Sequence, residues 1–338
     1  MTSQQEFPPV QQRLMEFIGE KIAPGRTNYT VAKLVGDASA RQYFRLVTED
    51  AKSYIMAVYP EPFVLQDFTY HQVYTLLRGV NLPVPETYEV DERRGIVMQE
   101  DLGDESLQKR LLGVPTGQWP PLLKRAIDLI VRIQSEASRL CRPDYQACRL
   151  AFDYDKLSFE FNFFFQHYIT SYRQLAYDGV RKAALSREFD AISHELASYP
   201  RYLAHRDYHC RNIMLVKDQM YILDFQDARM GPASYDLVSI LKDSIDLTES
   251  QMHELVRYFL SLKHLKAEDY YDFWTQFELM SVQRLLKALG TYGYQITIRS
   301  NFIYQQYIPG TLHRAYQSVL KLKRFPQIQA LLEQEIFN

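Results

Sequence analysis

A chain of 338 residues with a 46% hydrophobic fraction is long enough to bury a substantial core, as one bilobal unit or two closely packed domains. Its formal net charge of −2, with no polybasic run, excludes bulk electrostatic attachment to nucleic acid or a membrane surface. The polar start, Met1 to Pro9, lacks an apolar signal core, and runs such as Phe161 to Phe165 are too short to span a bilayer.

In chain order, apolar positions at Val10, Leu14, Phe17, Ile18 and Ile22 predict a first helix. Three strand-like runs follow, Asn28 to Val35, Arg41 to Val47 and Ser53 to Tyr59, the last two joined by a turn at Thr48 to Ala51. A helix through Val64 to Leu77 precedes a hairpin, Thr87 to Val90 and Gly95 to Gln99, which turns over Asp91 to Arg94. This pattern makes a small antiparallel sheet with one inserted helix. Beyond Asp101 the character changes to amphipathic helices: Pro120 to Leu140, Asp155 to Leu175, Glu188 to Ala197, Met252 to Leu262 and Asp269 to Leu289. The predicted fold class is therefore α+β and bilobal, with residues 1–100 as a sheet lobe and 101–338 as a mainly helical lobe. The aromatic-dense stretch holding Phe161, Phe163, Phe164, Phe165, Tyr168 and Tyr172 reads chiefly as packing surface.

One short hairpin interrupts the helices, and the chemistry collects there. His205-Arg206-Asp207-Tyr208-His209-Cys210-Arg211-Asn212 supplies an Asp with an Asn five positions on. Ile213 to Val216 and Met220 to Leu223 flank Lys217-Asp218-Gln219 and return the chain to Asp224, near Asn212. Phosphoryl transfer from a nucleotide needs one carboxylate to orient and deprotonate a hydroxyl. It also needs an amide and a second carboxylate to hold magnesium on the phosphates. Asp207 is thus the expected catalytic residue, Asn212 and Asp224 the expected Mg²⁺ ligands, and ATP the co-substrate. His205 and His209 stand four apart beside Cys210, but Arg206 occupies the place where a zinc-protease motif carries Glu. His205 therefore reads as a structural hydrogen-bonder. Only Gln226 to Ser234 separate the Asp224 segment from the next helix, too few residues for a segment that orients a peptide. A small-molecule acceptor is expected.

These motifs resemble the aminoglycoside phosphotransferase/choline kinase superfamily, which has a protein-kinase-like fold. Within it they resemble the anomeric sugar kinases that phosphorylate N-acetylmuramate and N-acetylglucosamine during cell-wall recycling. The matching pieces are Gly36 to Arg45 as phosphate loop and Gln99 to Asp104 as hinge. Asp224 to Arg229, Gly231-Pro232 and Tyr235-Asp236-Leu237 match the metal segment and following helix. Gln283 to Gly290 and Tyr307-Ile308-Pro309 match the C-terminal part.

The resemblance implies an ATP-dependent sugar kinase, with the N-terminal lobe holding nucleotide and the C-terminal lobe holding substrate. Gly36 and Ser39 would admit phosphates to backbone N–H groups. Gln99 and Asp101 would belong to the hinge that meets adenine, walled by Met56 and Met98. Asp236 would tie down the catalytic loop. Asp227 would contact substrate hydroxyls or stand behind the metal, while Arg284, Lys287 and Tyr294 would face an anionic or N-acetyl sugar. The chain departs from the general kinase pattern where a strand Lys is expected: the run is Tyr54-Ile55-Met56-Ala57-Val58, and no Glu lies between Val64 and Leu77. Arg41 and Arg45, which alternation puts on one strand face with Tyr43, are the candidates for the missing positive charge. The competing readings are kinases of choline, homoserine or aminoglycosides, and a catalytically silent nucleotide-binding pseudokinase. The expected partner is a small molecule, with no nucleic acid, membrane or protein. Cys141, Cys148 and Cys210 are an odd, sparse set read as reduced thiols in a cytoplasm.

Overall fold

Alternation along one strand sets the layout of the first half. The computed structural model describes residues 8–22, 28–34, 41–243 and 245–337. Strands β1 (Tyr29–Lys33), β2 (Gln42–Thr48), β3 (Ser53–Val58), β4 (Thr87–Asp91) and β5 (Ile96–Glu100) form one antiparallel sheet in the order β1-β2-β3-β5-β4. On one face Phe44, Leu46, Met56, Val58, Ile96 and Met98 pack with Leu14, Phe17 and Ile18. Those last three come from α1 (Val10–Phe17) and the π-helical turn that continues it to Ile22. The other face presents Tyr43, Arg45, Ile55 and Ala57 to a cavity. Met56 and Met98 are therefore buried core residues and not walls of the cavity, because successive side chains of a strand point to opposite faces. Ile55 and Ala57 take the place expected of them.

The inserted helix α2 (Thr69–Gly79) begins later than the predicted Val64, since Val64 to Phe68 turn on themselves and Phe63 stacks on Phe68 at 3.7 Å. The helical half comprises α3 (Leu107–Leu112), α4 (Trp119–Ser135), α5 (Gln146–Arg149), α6 (Tyr154–Phe164), α7 (Gly179–Ser198), α8 (Ser234–Lys242), α9 (Glu249–Leu262), α10 (Tyr270–Thr297), α11 (Ile308–Leu322) and α12 (Pro326–Phe337). Two short ladders lie among them: β6 (Arg201–Ala204) with β9 (Arg229–Pro232), and β7 (Ile213–Val216) with β8 (Gln219–Ile222).

Several helix limits differ from expectation. The Pro120 helix stops at Ser135 and gives way to a 3₁₀ turn at Ala137–Leu140. The helix over α6 passes into a π-helical stretch, Phe165–Tyr172, where α10 crosses it. Gly290 and Gly293 make that crossing possible: a Cβ on Gly290 would stand 2.7 Å from Phe164 Cα, and one on Gly293 would meet the His167 carbonyl. Phe161, Phe164 and Tyr168 are core residues there, as read. The predicted Glu188 start of α7 missed its N-cap, Asp178, which accepts from the Arg181 N–H at 2.8 Å. Cys141 and Cys148 are joined in a disulfide, with Cα atoms 5.6 Å apart, where reduced thiols were expected. An odd cysteine count hides such a pairing, since Cys210 is buried alone in the core. No helix among the described residues is long and apolar enough to cross a membrane.

Candidate active site

The β7–β8 hairpin closes through two residues, with Val216 paired to Gln219 and Lys217 at φ 54°. Its open end is closed by the Leu223 N–H donating to the Asn212 carbonyl at 2.8 Å, which sets Asp224 beside Asn212. Before the hairpin, the loop carrying Asp207 is held from behind. Asp236, fully buried in the first turn of α8, accepts the backbone N–H groups of His205 at 2.7 Å and Arg206 at 3.0 Å. The His205 ring bonds the Leu223 carbonyl through Nε2 at 2.7 Å. Both histidine and aspartate thus do structural work, and the loop and the metal segment become one unit. Arg206 (φ 82°) and Asp224 (φ 60°) adopt left-handed backbone, each costing on the order of 1–3 kcal/mol, which this bonding holds in place. Asp236→Ala is expected to destabilise the fold by about 3 kcal/mol, since two buried N–H groups lose their acceptor; chemical denaturation measures it.

Asp207 opens onto a cavity of about 720 Å³ between sheet and helices, which Asn212 and Asp224 also line. Burial opposes the Asp207 charge, but Lys287, Arg206, Arg284 and His209 outweigh it and hold the carboxyl well below the usual range. It is an anion at neutral pH. The Asn212 amide donates to the Asp207 carbonyl at 2.9 Å, leaving its oxygen as a ligand candidate. Asp224 accepts from Arg41 at 2.9 Å and from the Gln226 amide at 2.9 Å. One amide oxygen and one carboxylate are hard donors that leave most of a coordination shell to phosphate and water, which fits magnesium. Among the described residues no group of three or more His, Cys, Asp or Glu is arranged to hold a metal alone.

The sheet end of the cavity is lined by Leu34, Ile55, Ala57, Gln99 to Asp104, Met214 and Leu223. Ile55 and Ala57 face the cavity from the strand that lacks a lysine, and Tyr70 of α2 lines the same cavity, with its hydroxyl bonded to Thr87 at 2.9 Å and Gln99 at 3.3 Å. Gly36 and Ser39 lie outside the described residues. Arg41 and Arg45 do share a face with Tyr43, as alternation required. Arg45 is engaged by Asp101 at 2.7 Å and Asp104 at 2.8 Å, so it braces the hinge. Asp101 also accepts from Ser53 and from the Gly103 N–H.

The helical end, where the acceptor was expected, comes from α10, α11 and the 3₁₀ segment Phe302–Tyr307. Arg284 donates to the Arg206 carbonyl at 2.8 Å, to Ser239 at 2.8 Å and to Asp243 at 2.7 Å. Expected as a substrate contact, it lines the cavity and also steadies the loop that carries Asp207. Asp227 pairs with Arg206 at 3.3 Å and is tied through Gln226 to Asp224; it stands behind the metal segment and does not line the cavity. Tyr294 packs near Phe163 and His167, away from the cavity. Sequence reasoning missed Asp243, Thr291, Tyr292, Tyr304 and Arg314, all lining residues. The signal was available in part: Arg284, Lys287, Ala288, Thr291 and Tyr292 recur at helical spacing, a polar stripe on an otherwise apolar helix.

The short β9 strand fills the interval between Asp224 and α8, so nothing there can present a peptide, and the site is that of a phosphotransferase acting on small molecules. The chain belongs to the phosphotransferase enzyme family, whose profile matches residues 30–274. It is 31% identical over 266 residues to the N-acetylmuramate/N-acetylglucosamine kinase of Neisseria meningitidis serogroup B, covering 76% of each chain. It is 29% identical to the protein of the same name from Pseudomonas aeruginosa, covering 80% of this chain and 79% of that one. Its fold is that of a choline/ethanolamine kinase family protein from Mesorhizobium loti, with a TM-score of 0.62 at 14% identity, covering 96% of this chain and all of that one. A streptomycin–ATP–APH(2")-IIa complex also matches at a TM-score of 0.62 and 13% identity, over 89% and 97% of the two chains. The α+β, protein-kinase-like architecture expected from the sequence is the one found.

Proposed function

We propose that this chain is an ATP-dependent kinase of the anomeric hydroxyl of an N-acetylated amino sugar, N-acetylmuramate or N-acetylglucosamine. The observation that carries this reading is the charge of the acceptor end. Arg211, Arg284, Lys287 and Arg314 line it against Asp207 and Asp243. A neutral or anionic sugar suits that wall; a polycationic aminoglycoside or choline does not. The two relatives above carry the same two sugars in their names.

In this reading Asp207 orients the acceptor hydroxyl and takes its proton as the oxygen–phosphorus bond forms. Its ionised state suits a loose transition state in which positioning matters most. Asn212 and Asp224 would hold Mg²⁺, which when bound neutralises charge on the transferring phosphates. Gln99 and Asp101 frame the adenine end, and Gly36 and Ser39 remain the proposed phosphate contacts. Arg41, flanked by the rings of Tyr43 at 5.9 Å and Tyr59 at 5.7 Å, keeps a cation on Asp224 that moves to phosphate when nucleotide binds. We place the division between nucleotide lobe and substrate lobe at residues 100 and 101, where β5 ends. A cytoplasmic site of action follows from ATP as co-substrate; the Cys141–Cys148 bond is the feature that argues against a reducing compartment.

An ADP-release assay with Mg-ATP against N-acetylmuramate, N-acetylglucosamine, choline, homoserine and kanamycin tests the reading, with phosphorus NMR locating the ester. A sugar 1-phosphate is expected. Turnover confined to choline, homoserine or kanamycin would overturn it.

A further inference from the structure

The cavity holds a lysine with which no group among the described residues pairs directly. Arg41, Arg45, Arg284 and Arg314 are each paired to a carboxylate: Asp224, Asp101 with Asp104, Asp243 and Asp246. Lys287 lines the same cavity, yet among the described residues its ammonium has no hydrogen bond or ion pair. Glu160, behind it, is already held by Lys156 at 3.2 Å and Gln283 at 2.8 Å. Asp207 is the anion that does most to sustain the Lys287 charge against burial, and Lys287 does the same for Asp207.

A half-buried ammonium that the protein leaves unpaired is disfavoured, whereas an apolar side chain of similar length would carry no such cost. Such a group fits a site that receives an anion. Asn212 and Asp224 mark where the phosphates lie and Asp207 marks the acceptor oxygen, so the phosphoryl group must cross the space that Asp207 and Lys287 share. The strand that supplies a phosphate-binding lysine in other kinases presents Ile55 and Ala57 here.

We propose that Lys287 is a further catalytic residue, one that contacts the γ-phosphoryl oxygens of ATP from the acceptor side during transfer. This rests on the kinase reading above. The bond from phosphorus to the β-phosphate oxygen breaks and its electron pair stays on ADP. A bond to the acceptor oxygen forms and its proton passes to Asp207. Lys287 keeps its proton throughout and neutralises the charge on the three equatorial oxygens.

The test uses the full chain with Lys287→Met and Lys287→Arg. Methionine relieves an unpaired buried charge, so the variant is expected to fold, and thermal melting checks it. Calorimetric titration with Mg-ADP and with the magnesium complex of the β,γ-imido analogue of ATP reads the γ-phosphate contact without turnover. Lys287→Met is expected to lose the preference for the triphosphate while binding ADP as wild type does. Its kcat should fall on the order of 10²–10³-fold with both sugars, and Lys287→Arg should recover part of it. An unchanged triphosphate preference would overturn the proposal. So would a loss confined to KM for N-acetylmuramate, which makes Lys287 a ligand of the one carboxylate that distinguishes the two sugars. If wild type phosphorylates neither sugar, the sugar reading fails and the titration arm decides Lys287 by itself.

Discussion

Asp207→Ala is expected to lower kcat by about 10²–10⁴-fold while leaving the Kd for Mg-ADP within a small factor of wild type. The residue sits at the mouth of a loop whose backbone is pinned by Asp236, so removing its carboxylate leaves the loop standing. The proposed adenine contacts lie on the sheet face and at Gln99 to Asp104, on segments other than the one that carries Asp207. The loss therefore belongs to the chemical step: an acceptor hydroxyl that is neither oriented nor relieved of its proton. Asp207→Asn keeps the shape and removes the charge, and should lose nearly as much. Steady-state ADP release paired with calorimetric ADP binding separates the two effects. Full activity in Asp207→Ala would show that the catalytic loop has been misassigned.

Asp224→Ala is expected to show a different pattern, with both turnover and the magnesium dependence of nucleotide binding lost. Wild type should bind ADP more tightly with Mg²⁺ than with EDTA; the variant should bind it alike in both. Loss of a metal that supplies several kcal/mol of charge stabilisation corresponds to a fall in kcat/KM on the order of 10³-fold or more. Arg41 loses its carboxylate partner in the same variant, 183 positions away in sequence. The control is Asp101→Ala, which removes an equally engaged carboxylate at the hinge and should leave the magnesium dependence intact. Retained magnesium dependence in Asp224→Ala would move the metal site elsewhere.

The residues that carry these predictions were legible because they are local. Asp207 and Asn212 lie five apart in one loop, and a tight hairpin brings Asp224 back to them, so the chain constrains their meeting over a short span. The missing strand lysine was legible too, as was the short interval before α8. The alternation that joined Tyr43 to Arg45 held for the same reason, since a strand has only two faces. That rule puts Met56 on the face opposite Ile55 and Ala57, but by itself it does not place Met56 or Met98 in the core. It fails without knowing which face the cavity takes.

What the sequence by itself determined is the meeting of Asp207, Asn212 and Asp224 and the two-part architecture around it. Hydrophobic period and a few closely spaced polar residues are enough to specify both. What only the tertiary structure decided is who partners whom at long range. Arg284 became a brace for the Arg206 carbonyl, Arg45 a brace for the hinge, and Asp227 a partner of Arg206. Cys141 met Cys148, and Lys287 came to line one cavity with Asp207, without a pair among the described residues. A charged side chain takes its role from the charges folding brings within a few ångströms of it, and those neighbours come from segments that the linear order keeps far apart.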